Sequence, residues 1–287
     1  MYYLTNTLMI EIKNLSFGYK KKKQLYKNLN LNLQVGSIYG LLGKNGAGKS
    51  TLLKNFTGLL FPTKGHLNVN GFTPKKRLPS FLETIYFIPE EVYVPSLTIK
   101  GYKNLFAPFY PLFNEEQFYS YLGQLDVLDK GKLSTLSFGQ QKKFVIAFAL
   151  ACNTKILFLD EPTNGLDIPS KIKFRKLISS VFTEDKMIFI STHQIRDLDN
   201  LIDNVIIIDN GELLLQASIS EITNKLSFKV VDEMPDGNKV LYSESSLKGY
   251  SIVVENITGE QSKVNLEYLF NAVTGNPEKS KLIFNTK

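Results

Sequence analysis

Polar and hydrophobic residues alternate in the first part of the chain in a way that is typical of β-strands. Residues 10–17 and 25–33 alternate with a period of two, and residues 37–42 form a short, mostly apolar run. Alternation indicates a strand with one buried face, whereas an apolar run indicates a strand buried on both faces. The pattern predicts three strands, and it makes the lysine-rich stretch 20–23 a solvent-exposed turn between the first two.

The middle of the chain changes to helical patterning. A glycine-rich turn precedes a predicted helix at 49–58, and Pro62, Gly65 and Gly71 then punctuate a short predicted hairpin. From residue 90 to about residue 152 the strand alternation is lost and aromatic side chains become frequent. We therefore expect an inserted helical subdomain over 90–152.

Buried strands and a helix alternate after this segment. Apolar runs at 156–159, 187–190 and 205–208 predict strands, and a helix is predicted at 169–182. Strands that alternate with helices imply a parallel sheet, so the central fold class is α/β.

The pattern of hydrophobic and polar residues changes again after the turn dipeptide Asn210-Gly211. A helix is predicted at 264–273, and it ends near Gly275, as helices commonly do. Before it, three short β-like stretches lie at 228–231, 240–243 and 250–254. We expect residues 218–287 to form a small C-terminal α+β extension.

Composition narrows the class of protein without giving a function. The 287 residues are 43% hydrophobic, which is enough for one ordinary core and a smaller appendage. The net charge is +7, but only three cations are arginines, the side chain best suited to reading guanine, so no direct nucleic-acid partner is expected. Cys152 is the only cysteine, which excludes an intramolecular disulfide and favours a reducing compartment. No apolar run approaches the ~20 residues that span a bilayer.

A glycine-rich loop follows the third predicted strand. Residues 43–50 match the phosphate-binding pattern G-x-x-x-x-G-K-[ST], with a strand before it and a helix after it. The backbone N–H groups of such a loop favour phosphate, while Lys49 is expected to reach the β and γ phosphates and Ser50 to bind Mg²⁺. The predicted nucleotide-binding residues are Gly43, Lys44, Asn45, Gly46, Ala47, Gly48, Lys49, Ser50 and Thr51.

Two carboxylates follow the buried strand at 156–159. Asp160 and Glu161 would lie at the carboxyl edge of the parallel sheet, where open α/β sheets bind ligands. We expect Asp160 to hold Mg²⁺, directly or through water, and Glu161 to orient and deprotonate the water that attacks the γ-phosphate. The alternative is that both residues only cap the next helix.

A third segment, Ser137-Phe138-Gly139-Gln140, begins a predicted helix between these two motifs. With all three present in this order, the chain resembles the ATP-binding-cassette (ABC) ATPases over residues 9–217. The resemblance implies a P-loop NTPase core with an N-terminal antiparallel β subdomain in residues 1–217, followed by the C-terminal extension.

Further site residues are implied by this resemblance. Ser137, Phe138, Gly139 and Gln140 are similar to the signature loop, which completes the nucleotide site of a second cassette in a head-to-tail dimer. Phe138 stands where the family usually has glycine. Asp167 resembles the residue that couples the two sites across the dimer, although a simple helix cap is an equally good interpretation.

Three more positions resemble residues that surround the nucleotide in the family. Tyr19 corresponds to the aromatic residue that stacks on adenine, with an ordinary strand-end tyrosine as the alternative. His193 corresponds to the switch histidine that contacts the γ-phosphate and helps hold the attacking water. Glu90 stands where the family has a glutamine that reaches Mg²⁺; it can still ligate Mg²⁺ and adds negative charge.

The resemblance implies an ATP-hydrolysing subunit of a membrane transporter of the exporter type. Because no span is predicted here, the transmembrane permease would be a separate polypeptide, and it would hold the chain at the cytoplasmic face of the membrane. The aromatic segment at about 90–121 is where the family receives the permease. Two alternatives stay open, namely a soluble ABC ATPase acting on ribosomes, nucleic acid or cluster assembly, and a degenerate cassette that binds ATP without hydrolysing it.

Overall fold

The structure is a computed structural model that describes residues 8–20, 23–127, 131–198, 200–235, 240–246 and 249–284. The described residues form the strands β1 (Leu8–Phe17), β2 (Tyr26–Gln34), β3 (Ser37–Leu42), β4 (Lys64–Val69), β5 (Ile85–Ile88), β6 (Ile156–Asp160), β7 (Met187–Thr192), β8 (Asn204–Asp209), β9 (Glu212–Ser218), β10 (Leu226–Val231), β11 (Val240–Ser246) and β12 (Gly249–Glu255). They form the helices α1 (Lys49–Phe56), α2 (Pro79–Leu82), α3 (Ile99–Phe106), α4 (Glu115–Gln124), α5 (Phe138–Ala151), α6 (Ile168–Val181), α7 (Ile219–Lys225), α8 (Leu266–Gly275) and α9 (Pro277–Phe284).

The N-terminal part is a small antiparallel sheet with the order β2-β1-β4. The first two predicted strands are confirmed, but the hairpin predicted around Pro62 to Gly71 is wrong. That segment contributes one strand, β4, which pairs with the distant β1, and its own turn at Asn70 and Gly71 is closed only by an isolated bridge between Val69 and Phe72. Gly65 permits this pairing, because a Cβ atom there would lie 2.3 Å from the carbonyl oxygen of Asn14.

A six-stranded sheet forms the centre of the molecule, with the order β5-β6-β7-β3-β8-β9. All neighbours are parallel except β8 and β9, which form a hairpin through Asn210 and Gly211 at φ values of 48° and 79°. The predicted parallel sheet is confirmed, whereas β5 and β9 were not predicted. Because β6, β7 and β3 are adjacent and parallel, their carboxyl ends bring three loops to one edge.

The predicted helical segment is confirmed as α3, α4 and α5. Its aromatic side chains pack around Phe148 of α5, with the ring centroids of Tyr102, Phe113 and Phe118 at 5.0, 5.3 and 5.7 Å. Most of the aromatic residues that are frequent in this part of the sequence therefore belong to a hydrophobic core.

The C-terminal part contains an antiparallel sheet with the order β10-β12-β11. The predicted strands are confirmed; the predicted last helix is α8, and the further helices α7 and α9 were not predicted. Leu226, Val253 and Leu269 belong to the same continuous apolar core as Ile207 and Leu215 of the central sheet. The division of the chain near residue 217 stays a prediction.

Among the residues that the structure describes, no helix is both long enough and apolar enough to cross a bilayer.

Candidate nucleotide site

The glycine-rich loop connects β3 to α1 and has a backbone that only glycine fits at several points. A Cβ atom on Gly43 would lie 2.6 Å from the carbonyl oxygen of Ile208 on β8. Gly48 has a φ of 111°, and a Cβ atom there would lie 2.3 Å from the hydroxyl of Tyr26. The same hydroxyl donates a hydrogen bond to the Gly48 carbonyl. The loop is thus fixed from behind by β8 and by a buried tyrosine of β2.

Lys49 is the first residue of α1 and is 6% exposed. Its Nζ donates to the carbonyl oxygens of Gly43 at 2.8 Å and Lys44 at 3.3 Å, and lies 3.7 Å from Oε1 of Glu161. Burial lowers the pKa of Lys49, while the carboxylates of Glu161 and Asp160 act in the opposite direction. A buried cation therefore lies within the loop and faces two carboxylates.

Asp160 is the last residue of β6 and Glu161 follows it, beside the residues that end β7. Oδ1 of Asp160, which is 2% exposed, accepts a hydrogen bond from the Ser191 hydroxyl. Glu161 has a φ of 46°, the left-handed region that favours glycine, so its backbone is held against its own preference.

The Glu161 carboxylate is held by the end of β7 and the residue that follows. Its Oε2 accepts from the Thr192 hydroxyl at 3.0 Å, and its Oε1 accepts from the His193 backbone N–H at 2.9 Å. His193 Nδ1 also lies 2.8 Å from Oε1, and because a carboxylate oxygen accepts, Nδ1 carries the hydrogen. In the neutral imidazole Nε2 is then left with its lone pair for another group.

A cavity of about 690 Å³ opens in front of the loop. Tyr19 stands at its rim, 66% exposed, with its hydroxyl 2.9 Å from the Thr51 hydroxyl. Lys20 and Lys23, which the sequence suggested were only a solvated turn, also line it. The predicted residues that line this cavity are Tyr19, Asn45, Gly46, Gly48, Lys49, Ser50, Thr51, Glu90 and Glu161.

The signature-like segment and Asp167 are not among the residues that line this cavity. Ser137 is exposed and caps α5 by accepting from the backbone N–H of Gln140. Asp167 caps α6 by accepting from the backbone N–H of Ser170 at 2.9 Å, and hydrogen bonding to Ser170 lowers the pKa of Asp167. The capping interpretation of Asp167 is confirmed, and its role between cassettes stays a prediction.

Phe138 lies outward, 46% exposed, with its ring beside the backbone of Gly165. A Cβ atom on Gly165 would lie 2.7 Å from that ring, and one on Gly139 would lie 3.0 Å from the Gly165 carbonyl oxygen. The phenylalanine therefore packs against the segment that leads to Asp167.

Glu90, two residues after β5, is linked to the same segment. Its Oε1 accepts from Asn164 Nδ2 at 3.0 Å, and Asn164 Oδ1 accepts from Gln194 Nε2 at 2.9 Å. A chain of hydrogen bonds thus runs from Glu90 through Asn164 to the residue after His193.

Several residues of the site were missed in the sequence. Ser191 and Thr192 hold Asp160 and Glu161, and their position just before His193 at the end of a predicted strand was an available signal. Tyr26 gave no signal, because an aromatic residue in an alternating strand is ordinary.

The residues present fit Mg²⁺ bound together with a nucleotide. Within the described ranges, no group of three or more His, Cys, Asp or Glu side chains could hold a metal by itself. Mg²⁺ usually takes one or two protein oxygens and completes its shell with phosphates and water. Asp160 and the Ser50 hydroxyl could supply such oxygens.

Comparison with known proteins places this fold and loop in a family. A family model described as ABC transporter matches residues 26–164. The uncharacterized ABC transporter ATP-binding protein YdbJ of Bacillus subtilis is 32% identical over 246 residues, which are 81% of this chain and 79% of that protein. The bacitracin transport ATP-binding protein BcrA of Bacillus licheniformis is 28% identical over 280 residues, 92% of this chain and 90% of that protein.

A solved structure gives the same result. The structure of cbiO1 from Clostridium perfringens, described as part of the ABC transporter complex cbiONQ, matches with a TM-score of 0.61 and 27% identity. The match covers 75% of this chain and 90% of that chain. The chain therefore belongs to the ATP-binding proteins of the ABC transporter family.

Proposed function

We propose that this chain hydrolyses ATP at the cytoplasmic face of a membrane and thereby drives export through a separate transmembrane permease. Two cassettes, either two copies or one copy and a homologue, would work head to tail. The observation that carries the proposal is the division of the site. The phosphate loop, Glu90 and Glu161 line one cavity, while Ser137 and Phe138 of the signature-like segment are exposed and do not line it.

ATP would bind with its phosphates in the loop of residues 43–51. Tyr19, at the rim of the cavity, would stack on adenine, and Lys49 would exchange its contacts with the loop carbonyls for contacts with the phosphates. Mg²⁺ would be held by Ser50 and Asp160, with Glu90 as a further ligand or neighbour, and would neutralise charge on the phosphates.

Hydrolysis would depend on Glu161 and His193. Water attacks the γ-phosphorus, the bond from that phosphorus to the bridging oxygen of ADP breaks, and Glu161 accepts the proton that the water loses. His193, oriented through Nδ1 by Glu161, can present Nε2 to the γ-phosphate or to the water.

The signature-like segment would act on a second cassette. Ser137 stands at the N-terminus of α5, a helix of 14 residues, where backbone N–H groups favour an anion. It lies outside the cavity of its own chain. The resemblance to the family's signature loop implies that it would contact the γ-phosphate bound by another copy or a homologous cassette.

The permease would contact the helical segment around α3 and α4. Leu105, Phe109 and Leu112 are 54, 67 and 62% exposed, which is unusual for side chains so apolar and so close together in the sequence. Export is favoured as the direction because residues 264–270 resemble the ending of exporter cassettes. The match to the bacitracin transport relative also spans 92% of the chain, so it extends into the C-terminal part.

The test is to purify the tagged chain from gently solubilised native membranes and to identify the proteins that accompany it. We expect one multi-span membrane protein in near-stoichiometric amount. A Phe109→Glu/Leu112→Glu variant should lose that protein while it still binds ATP. Recovery of ribosomal or assembly proteins without a membrane protein would contradict the proposal and favour the soluble alternative.

A further inference from the structure

Lys142 is a charged residue that is fully buried, at 0% exposure, in the second turn of α5. Its Nζ donates to two backbone carbonyl oxygens, that of Glu90 at 2.7 Å and that of Glu161 at 3.1 Å. Lysine is almost never buried without partners, because desolvation of the ammonium group costs several kcal/mol. Its position therefore has a specific cause in the residues around it.

The two carbonyls belong to the two acidic residues that line the nucleotide cavity. Glu90 follows β5, and Glu161 follows β6, the next strand of the sheet. One ammonium group from a third element thus connects the loops that carry both side chains.

The backbone at Glu161 needs such a support. Its φ of 46° is unfavourable for a residue with a side chain, and its carbonyl accepts from Lys142 and from the backbone N–H of Asn164 at 3.2 Å. The orientation of this peptide determines where the Glu161 carboxylate can point. A donor that fixes the carbonyl therefore also fixes the side chain that faces Lys49 and His193.

Electrostatics agree with this geometry. Burial lowers the pKa of Lys142 to about 8, while the carboxylates of Glu90, Asp160 and Glu161 act in the opposite direction. Lys142 thus also offsets part of the negative charge that these three residues gather at one edge of the sheet.

We infer that Lys142 is a positioning residue that ties the Glu90 and Glu161 loops to α5, so that a displacement of α5 moves the hydrolytic carboxylate. Because Ser137 caps the same helix five residues earlier, engagement of the signature-like segment by a second cassette would be transmitted through Lys142 to Glu161. This inference rests on the proposed ATP hydrolysis.

The experiment compares three variants of the full chain with the wild type. Lys142→Met removes the donor and keeps most of the unbranched side chain, and Lys142→Gln restores a neutral donor. Lys186→Met is the matched control, because Lys186 is also partly buried and donates to the carbonyl of Val181 and to Asn153, away from the cavity. We would measure kcat and KM for ATP with Mg²⁺, together with hydrogen exchange of the backbone amides.

Lys142→Met should lower kcat by about tenfold to a hundredfold and leave KM within about threefold, since loss of alignment affects the reaction more than the binding of ATP. Lys142→Gln should recover part of kcat, and Lys186→Met should stay close to the wild type. Hydrogen exchange should increase in both segments 89–92 and 161–165 in Lys142→Met only.

A kcat of Lys142→Met close to that of the wild type would overturn the inference, and so would a rise in KM with kcat unchanged. If the wild type itself fails to hydrolyse ATP, the proposed function is what fails, and hydrogen exchange then decides alone. Faster exchange at both loops would support the positioning role of Lys142, and unchanged exchange would contradict it.

Discussion

Glu161 is the residue whose role can be isolated most clearly. Its carboxylate already accepts hydrogen bonds from Thr192 and His193, so an amide of the same shape retains an oxygen for these donors but cannot take a proton from water. Glu161→Gln should lower ATP turnover by about a hundredfold or more and leave nucleotide binding intact. Turnover rates and binding of a fluorescent ATP analogue measure the two effects. Lys49→Ala should instead weaken binding, and wild-type turnover in Glu161→Gln would refute the assigned role.

Glu90 provides a second prediction for a single residue. A carboxylate beside the phosphates attracts Mg²⁺ more strongly than an amide does, so Glu90→Gln should raise the Mg²⁺ concentration needed for half-maximal turnover. Turnover measured over a Mg²⁺ titration tests this, with the exposed neighbour Glu91→Gln as the control. An identical titration curve for Glu90→Gln would exclude Glu90 from the metal environment.

The phosphate loop, Asp160 and Glu161 could be predicted because each motif consists of consecutive residues that directly follow a predicted strand. The partners of Glu161 could not. Thr192 meets Glu161 only because β7 lies beside β6, and Lys142 reaches it only because α5 packs across that edge. Contacts between distant segments depend on the order of the strands in the sheet. That order cannot be predicted from the local residue pattern of one sequence.

Two glycines in turns allow the effect of backbone strain to be separated from the effect of the space available for a side chain. Gly211 in the β8–β9 hairpin and Gly71 after β4 have nearly the same φ, 79° and 81°. A Cβ atom at Gly211 would lie 1.5 Å from the carbonyl oxygen of Leu25, whereas the one at Gly71 would have no neighbour within 4 Å. Gly211→Ala should therefore lower the free energy of unfolding by about 3 kcal/mol and Gly71→Ala by about 1 kcal/mol.

Urea unfolding of both variants measures these free energies. Equal losses would show that backbone strain alone sets the cost and that the hairpin can move away from Leu25. A larger loss for Gly71→Ala would contradict the argument altogether.

Long elements were predicted better than short ones. α5 and α6 have 14 residues each and begin at the capping residues Ser137 and Asp167, whereas β5 has only four residues, is followed by proline and was not predicted. The hairpin predicted near Gly65 failed for a different reason. Its local turn signals were genuine, but pairing with β1 across the sequence gave the strand a better partner.

At the scale of the whole molecule, the proposed head-to-tail arrangement would complete the site with a signature-like segment from a second cassette. A Glu161→Gln variant with ATP and Mg²⁺ should therefore elute as a dimer of the 32.5 kDa chain in size-exclusion chromatography with light scattering. Adding Ser137→Arg should keep it a monomer, because the larger side chain at the exposed cap blocks the approach of the γ-phosphate of the other copy.

The matching control is Ser134→Arg, an exposed position shortly before the cap. It should leave the dimer intact. A Ser137→Arg variant that still dimerises would show that the cassettes join through another surface.

The continuous apolar core has a consequence for how the C-terminal part can change in evolution. Leu226, Val253 and Leu269 of the C-terminal part share one continuous apolar core with Ile207 and Leu215 of the central sheet, so neither side can change shape alone. We therefore expect the C-terminal part and the sheet that shares its core to vary together between relatives. Exchange of endings between relatives, by recombination or in engineered chimeras, should yield folded proteins only when the covered surface is exchanged as well.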